Sequence, residues 1–459
     1  MGSEWKKIVL GDLLASGDAL LQTGPFGTAL KAEEYTETGV PLISVREIRE
    51  GFIEVESKTP RVDSTVTQRL PKFVLRSGDI LFARKGGVER NALITEREHG
   101  WFVGSDGIYL RLSDKYCSEY YSYVMRSPQV KKWLLKNCEG TTMPSLNQKI
   151  LSRIPIFEPP LIEQRKVAKV LRAFDKKISL NNQINQTLEH MAQTLFKSWF
   201  VDFDPVIDNA LDAGSSIPEV FEARVERRKA VRESADFKPL PDDVRRLFPS
   251  EFEESELGWL PKGWRTSNVG KEFDVTMGQS PPGSTYNEIG NGTPFFQGKA
   301  DFEFRFPNNR VYCTEPKRLA NKRDTLISVR APVGTINLAS QDCAIGRGLA
   351  AVRHVSGSPS YTYYSMWNLG KHFEVFEGEG TVFGSINQKD FKALPQNQIP
   401  SNVVAKFDEL STVWDKKIEL GSQQIQELTK LRDILLPKLI SGELRLDSPE
   451  FEQAKALVE

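Results

Sequence analysis

Glu139-Gly-Thr-Thr-Met-Pro-Ser-Leu-Asn-Gln-Lys-Ile-Leu-Ser-Arg-Ile-Pro155 returns later in the chain as Glu379-Gly-Thr-Val-Phe-Gly-Ser-Ile-Asn-Gln-Lys-Asp-Phe-Lys-Ala-Leu-Pro395. The separation, 379 − 139 = 240, persists without a gap to Asp175-Lys-Lys-Ile178, which matches Asp415-Lys-Lys-Ile418. Self-similarity at one long period sets the architecture before any single element is read. Upstream the likeness weakens and the separation grows. Gly78-Asp-Ile-Leu-Phe-Ala83 resembles Arg323-Asp-Thr-Leu-Ile-Ser328 at 245, and Pro41-Leu-Ile-Ser44 resembles Pro294-Phe-Phe-Gln297 at 253. Trp5–Asp12 resembles Trp264–Lys271 at 259. Insertions collect in surface loops. The pattern predicts one scaffold, repeated, that carries two different reading surfaces.

Within each copy, short apolar and β-branched runs alternate with Gly, Pro, Asn and Asp. Val40–Val45, Asp79–Phe82 and Ile108–Leu112 read as strands, as do Pro294–Gln297, Thr325–Val329 and Leu349–Val352. Glu119–Arg126 and Tyr361–Leu369 are helical in flavour and follow the last strand of each copy. The fold class is therefore α+β, built from two mixed α/β heads.

A long helix follows each head. From Glu163 to Phe200, Val167, Leu171, Phe174, Ile178, Leu188 and Leu195 recur mostly every four and three residues. Phe407, Trp414, Ile418, Ile425, Leu428 and Leu435 do the same in the second copy. Such a narrow apolar stripe is a helix-pairing seam. Pro160 and Glu163 suit a helix start, and Pro437 is expected to break or end the second helix, with Gly442 beyond. Copies paired through equivalent helices predict a pseudo-two-fold internal repeat with antiparallel coiled-coil helices and heads at opposite ends. About 38 residues at 1.5 Å each give a rod of roughly 57 Å. A local helical core without any spacing role is the plainer alternative. The expected division is 1–155 and 258–395 for the heads, 156–201 and 396–445 for the helices, 202–257 for an acidic linker and 446–459 for a tail.

Hydrophobic content of 39% and charged content of 27% are ordinary for a soluble globular protein, and a chain of 459 residues can hold two or three cores. No run approaches the roughly 18 apolar residues of a membrane span, and Met1–Lys6 lacks the apolar core of a signal peptide. A cytoplasmic location is expected. Cys117, Cys138, Cys313 and Cys343 form no metal-ligand spacing, so reduced structural thiols are expected. Net charge is zero, yet the heads are slightly basic while 202–257 holds Asp202, Asp204, Asp208, Asp212, Glu219, Glu222, Asp242, Asp243, Glu251, Glu253 and Glu254. That distribution permits nucleic-acid binding without requiring it.

Catalytic signatures are missing. Gly292–Ala300 has five residues between its glycines and no Ser or Thr after Lys299, so it is no phosphate loop. Gly378-Glu-Gly-Thr381 lacks the flanking strand and helix of a nucleotide turn. Ser280-Pro-Pro-Gly283 and Glu158-Pro-Pro-Leu161 lack the amide and aromatic needed to hold a flipped adenine, and read as turns. His99, His190, His354 and His372 sit in no ligand spacing, and Glu315-Pro-Lys317 lacks an upstream carboxylate partner. The chain reads as non-catalytic.

The repeated Gly-Thr…Ser-Leu-Asn-Gln-Lys…Ile-Pro, followed by Pro159-Pro-Leu-Ile-Glu-Gln-Arg165 and a long helix carrying Asp175-Lys-Lys-Ile178, resembles the specificity subunits of Type I restriction-modification systems. The resemblance runs over essentially the whole chain. The second copy departs from it, with Val403-Val404 where the first has Glu163-Gln164. The resemblance implies that each head is a target-recognition domain for half of a bipartite site on double-stranded DNA. It implies helices that set the gap and dock two methyltransferase subunits, with motor-nuclease subunits as further partners. No cofactor is expected in this chain; S-adenosylmethionine, ATP and Mg belong to those partners.

Half-sites read from one face of DNA lie about one turn, roughly 34 Å, apart, within reach of such a rod. Arg or Lys would read guanine, and Asn or Gln adenine. The candidates are Arg46, Arg49, Arg84, Lys85 and Arg90 in the first head, and Gln297, Lys299, Arg330 and Arg347 in the second. Each follows a strand or lies in a Gly-rich turn, and each could instead be a solvated charge or a phosphate contact. Arg84-Lys85-Gly-Gly87 and Arg330-Ala-Pro-Val-Gly334 stand out because they recur at equivalent places. Trp199, Phe200 and Trp414 are expected to pack rather than stack on bases. The alternative is a two-headed adaptor that binds proteins and shows no salt-dependent DNA affinity. A second rival, an enzyme in its own right, lacks the motifs.

Overall fold

The computed structural model describes residues 5–140, 143–256, 258–378, 384–449 and 451. Met1–Glu4, Thr141, Thr142, residues 379–383, Leu257, Glu450 and residues 452–459 lie outside them. Two compact units emerge, the first from Met1–Leu180 with Ile425–Glu459 and the second from Asn181–Gln424. Each unit thus holds one head and one half of each long helix.

In the first unit, Lys6–Val9 pairs antiparallel with Pro155–Glu158, which closes the head where the first long helix begins. An antiparallel sheet follows, in the order Ala19–Thr23, Gly107–Leu112, Ile80–Ala83, Asn91–Leu93. Its central strands are buried on both faces, which explains why Ile80-Leu-Phe-Ala83 is apolar throughout rather than alternating. A smaller sheet runs Tyr35–Thr36, Arg61–Val62, Val40–Ile43, Phe102–Val103, with its last pair parallel. Ser118–Arg126 and Pro128–Asn137 are helices, and Tyr120, Tyr121 and Val124 pack against the same core as Val167, Leu171, Phe174, Leu435 and Leu439.

The second unit repeats that strand order. Arg265–Asn268 pairs with Pro395–Gln398. One sheet runs Phe273–Met277, Leu349–His354, Thr325–Ser328, Ile336–Leu338. Another runs Tyr286–Asn287, Tyr312–Cys313, Thr293–Phe296, Cys343–Ile345, with Leu319–Ala320 added at its edge. The tight turn before the third strand of the main sheet has Gly78 at φ 91° in the first unit and Arg323 at φ 70° in the second. A side chain in that left-handed region costs roughly 1 kcal/mol, so the second copy accepts strain where the first uses glycine.

The long helices are Leu161–Phe200 and Ser401–Ser441, and the first fits a coiled coil. The second runs straight through Pro437, contrary to the expected break. A proline in the last turn removes only one of the final hydrogen bonds, and Gly442 at φ 72° provides the stop. Within the second unit Asn181 donates to Gln424 (3.2 Å) and Asn185 to Ser422 (3.3 Å), an antiparallel pairing. Gly421 allows it, since an added Cβ would lie 2.4 Å from the Asn185 Oδ1. The seam there is Asn181, Asn185, Ala192, Phe196 and Trp199; the expected Leu188 and Leu195 are only half-buried. Two buried asparagines disguise the stripe that an apolar search follows.

The stretch 202–257, expected as a linker, is folded into the second unit. It forms helices Asp204–Ala213, Glu222–Arg232 and Asp242–Arg245, and the hairpin Phe252–Ser255/Gly258–Pro261. Phe203, Val206, Phe221, Val244 and Phe248 carry it into the core. Several of its acids are paired within the unit: Asp208 accepts from Arg228 (2.8 and 2.5 Å), Asp212 pairs with Arg232 and Arg245, and Asp202 with Lys197.

Candidate nucleic-acid interface

The repeated Ser-Leu-Asn-Gln-Lys segment has one mechanical role in both units. Ser145 makes a backbone bridge to Lys85, and Ser385 makes the same bridge to Arg330. The next residue is buried, and its N–H donates back to the strand end: Leu146 to the Arg84 carbonyl (2.8 Å), Ile386 to the Val329 carbonyl (3.1 Å). Asn147 then caps the helix Gln148–Ser152 by accepting from Ile150 N–H (2.8 Å), as Asn387 caps Gln388–Ala393 through Asp390 N–H (3.0 Å). Sequence identity between the copies therefore marks a clasp that holds the loop after the third strand of the main sheet.

A second clasp brings another loop beside it. A Cβ on Gly24 would fall 1.9 Å from the Gly104 carbonyl oxygen, and one on Gly278 would fall 2.1 Å from that of Gly346. Only glycine permits this approach. In the first unit the Arg84 N–H donates to the Asp106 carbonyl (2.8 Å), and in the second Val329 N–H donates to that of Gly348 (2.9 Å). In each unit three loops thus meet at one edge: 24–27, 84–87 and 104–107 in the first, and 278–283, 329–334 and 346–348 in the second.

The side chains on these matching loops differ. In the first unit the guanidinium of Arg84 lies 4.5 Å above the Phe26 ring and donates to the Ser105 carbonyl (3.1 Å). Lys85 pairs with Asp106 at 3.3 Å. Arg90 donates to the Ile48 carbonyl (3.1 Å), and Arg49 pairs with Glu54 (2.7 Å) and Glu56 (3.1 Å). Arg46 is exposed and, among the described residues, has no side-chain partner. In the second unit Gln297, Lys299, Arg330 and Arg347 are all exposed without a side-chain partner among the described residues. Gln297, Arg330 and Arg347 lie on adjoining backbone, because Gly348 N–H donates to Gln297 O (3.1 Å), Val329 N–H donates to Gly348 O (2.9 Å) and Arg347 N–H donates to Ser280 Oγ (3.2 Å). Lys299 opens the turn Lys299–Asp301 next to them. Phe26, Ser105, Asp106 and Ser280 were missed from the sequence; glycines flanking a loop aromatic, Gly24-Pro-Phe-Gly27, are the signal that could have found the first.

Other expected features find structural roles. Trp199 and Phe200 are buried, and Trp414 packs against the second core. Gln164 is buried at the start of the first long helix, accepting from Cys117 N–H (2.8 Å) and donating to the Pro159 carbonyl (2.8 Å). Val404 replaces it by plain burial in the second copy. All four cysteines are free. Among the described residues no cluster of His, Cys, Asp and Glu could hold a metal ion, and no helix is long and apolar enough to cross a membrane.

Comparison with known proteins fits this arrangement. Residues 2–190 match the family described as the Type I restriction modification DNA specificity domain. A putative type I restriction enzyme MjaX specificity subunit of Methanocaldococcus jannaschii is 27% identical over 419 residues, covering 89% of this chain and 88% of that protein. The type I restriction enzyme HindI specificity subunit of Haemophilus influenzae is 25% identical, covering 73% and 77%. In fold, the chain is similar to the crystal structure of a Type-I restriction-modification system S subunit from M. genitalium, with a TM-score of 0.56 at 16% identity, over 95% and 96% of the two chains. Over most of its length the chain is thus similar to proteins named as type I restriction enzyme specificity subunits.

Proposed function

We propose that this chain reads a bipartite site on double-stranded DNA, one half-site per unit, and directs adenine-N6 methylation and restriction by partner subunits. The observation that carries the reading is the pair of matching loop edges. The same clasps present Arg84, Lys85 and Phe26 in one unit and Gln297, Arg330 and Arg347 in the other. A fixed frame with different polar side chains at its edge is what two different base sequences require. Arg49 is spent on Glu54 and Glu56 of its own loop and Arg90 on the Ile48 carbonyl of that same loop, so the reading in the first unit rests on Arg46, Arg84 and Lys85. The chain itself is non-catalytic in this reading. Two methyltransferase subunits supply S-adenosylmethionine chemistry, motor-nuclease subunits supply ATP- and Mg-dependent cleavage, and the complex works in the cytoplasm. Deleting the gene should abolish N6-methyladenine at one bipartite motif of the host genome. An unchanged methylation map in a host that expresses the gene overturns the proposal, as does a complex whose DNA affinity is indifferent to salt.

A further inference from the structure

We propose that Phe26 is a specificity-determining residue of the first unit, its ring contacting the 5-methyl group of a thymine next to the base that Arg84 reads. The inference rests on the DNA-reading function above and deepens it.

The ring is 52% exposed, yet the loop that carries it is held firmly. Gly24 is wedged against the Gly104 carbonyl, Pro25 is buried, and Gly27 takes φ 58°. A lone exposed aromatic on a surface is unremarkable. This one is backed by a guanidinium at 4.5 Å, which itself is fixed by its bond from Nη1 to the Ser105 carbonyl. Nε and Nη2 of Arg84 hold no hydrogen bond among the described residues, so donors remain for a base edge. Aromatic stacking orients a guanidinium without consuming its donors.

The fold does not need the ring. The second unit makes the same glycine clasp, Gly278 on Gly346, with Ser280 in the corresponding loop, and there the hydroxyl accepts from Arg347 N–H (3.2 Å). Phe26 is therefore free to serve the ligand. An exposed apolar surface beside an arginine fork matches one feature of the major groove, a thymine methyl beside a guanine acceptor pair. A half-site that contains the target adenine always offers a thymine on one strand.

The test uses the full chain assembled with its methyltransferase partners and duplexes that carry deoxyuridine for thymidine at one position at a time. This change removes only the methyl group. For the wild-type complex, one position in one half-site should weaken binding about fourfold, the worth of one buried methyl group. Phe26→Ala should lose about the same on thymine DNA and become indifferent to uracil at that position. If no position responds in the wild-type complex, or if Phe26→Ala responds as the wild type does, the inference is overturned. The latter result would mark the ring as a wedge between bases. Absence of any sequence-dependent binding by the wild-type complex overturns the functional reading itself, and the inference with it.

Discussion

Asp175 and Asp415 occupy the same place in the two copies, and the two units neutralise them differently. In the first, Asp175 accepts from Tyr123 Oη (2.7 Å) and pairs with Arg432 of the second long helix (2.8 Å), with Arg126 more distant at 3.7 Å. The site is partly wet. In the second, Asp415 pairs at 2.6 Å with Arg305, a head residue only 1% exposed, which also binds Glu189 at 2.6 Å and lies 3.6 Å above the Tyr363 ring. Burial works against this charge, but Tyr363, Asp415, Tyr364 and Glu189 hold the guanidinium pKa well above its ordinary value. The repeat kept the acid and changed the source of the base. One head is tied down by a buried ion network, the other by a partly exposed one.

The sharpest way to break that comparison is to remove the two arginines in turn. Arg305→Ala strands two carboxylates in a dry site and should cost about 3–5 kcal/mol. Arg432→Ala, at a partly exposed pair, should cost about 1 kcal/mol or less. Denaturant unfolding, with hydrogen exchange to locate the loss, distinguishes them. Equal losses would mean that burial at the second anchor contributes nothing.

A second asymmetry depends on pH. His354 ends the strand Leu349–His354 opposite Phe273, where the first unit has Leu112 opposite Ala19. It lies between Phe273 and Tyr361, and its Nδ1 accepts from Ser356 N–H (3.2 Å), which suits a neutral ring. Burial lowers its pKa to about 4, from 6.5 when unfolded. Because the folded state disfavours the proton, this contribution is complete above pH 6.5 and is lost as pH falls toward 4. The loss is on the order of 3 kcal/mol. His354→Leu should flatten that slope for the second unit and leave the first unchanged. An unaltered pH profile would show that the ring is hydrated.

Much of this was legible in the sequence, for physical reasons that differ by region. The 240-residue repeat marked shared scaffold, and the structure shows why: Asn147 and Asn387 are helix caps whose identity the backbone dictates. Strands such as Ile80–Ala83 were visible because burial demands apolar runs. In the first long helix Val167, Leu171 and Phe174 were legible as seam, whereas its second half was not, since Asn181 and Asn185 are polar and still buried, paired with Gln424 and Ser422. The stretch 202–257 misled because Asp208 and Asp212 look solvated until their arginine partners, twenty or more residues away, are in place, and because Phe203, Val206, Phe221, Val244 and Phe248 are scattered among exposed acids. Arg305 was invisible for the same reason. Among the site candidates, sequence could name basic loop residues but could not tell Arg49, spent on Glu54 and Glu56, from Arg330.

That distinction yields the next test. Arg330→Ala and Arg347→Ala should each weaken DNA binding by about tenfold, within the range of a lost base contact, at unchanged stability. Arg49→Ala should do the reverse, losing about 1 kcal/mol of stability while the recognised sequence stays the same. Affinity on cognate DNA and thermal unfolding of the three variants separate the roles. A stability loss in Arg330→Ala without an effect on binding would remove it from the interface.

The smallest effect probes what the two copies share. Asn147→Ala and Asn387→Ala each delete a helix N-cap and should cost about 1 kcal/mol, while glycine at either position should cost only a few tenths. Asn387 also donates to Asp390 Oδ2 at 2.6 Å, so its loss should be slightly the larger. The two helices brace the basic loops through Ser145 and Ser385, so affinity should fall modestly in both variants. The methylated sequence should not change, because a cap positions the reader without touching a base. Single-molecule sequencing of DNA from cells carrying each variant checks this. A shifted recognition motif would make these asparagines readers, and the division between shared frame and divergent surface would then fail where the two copies agree most closely.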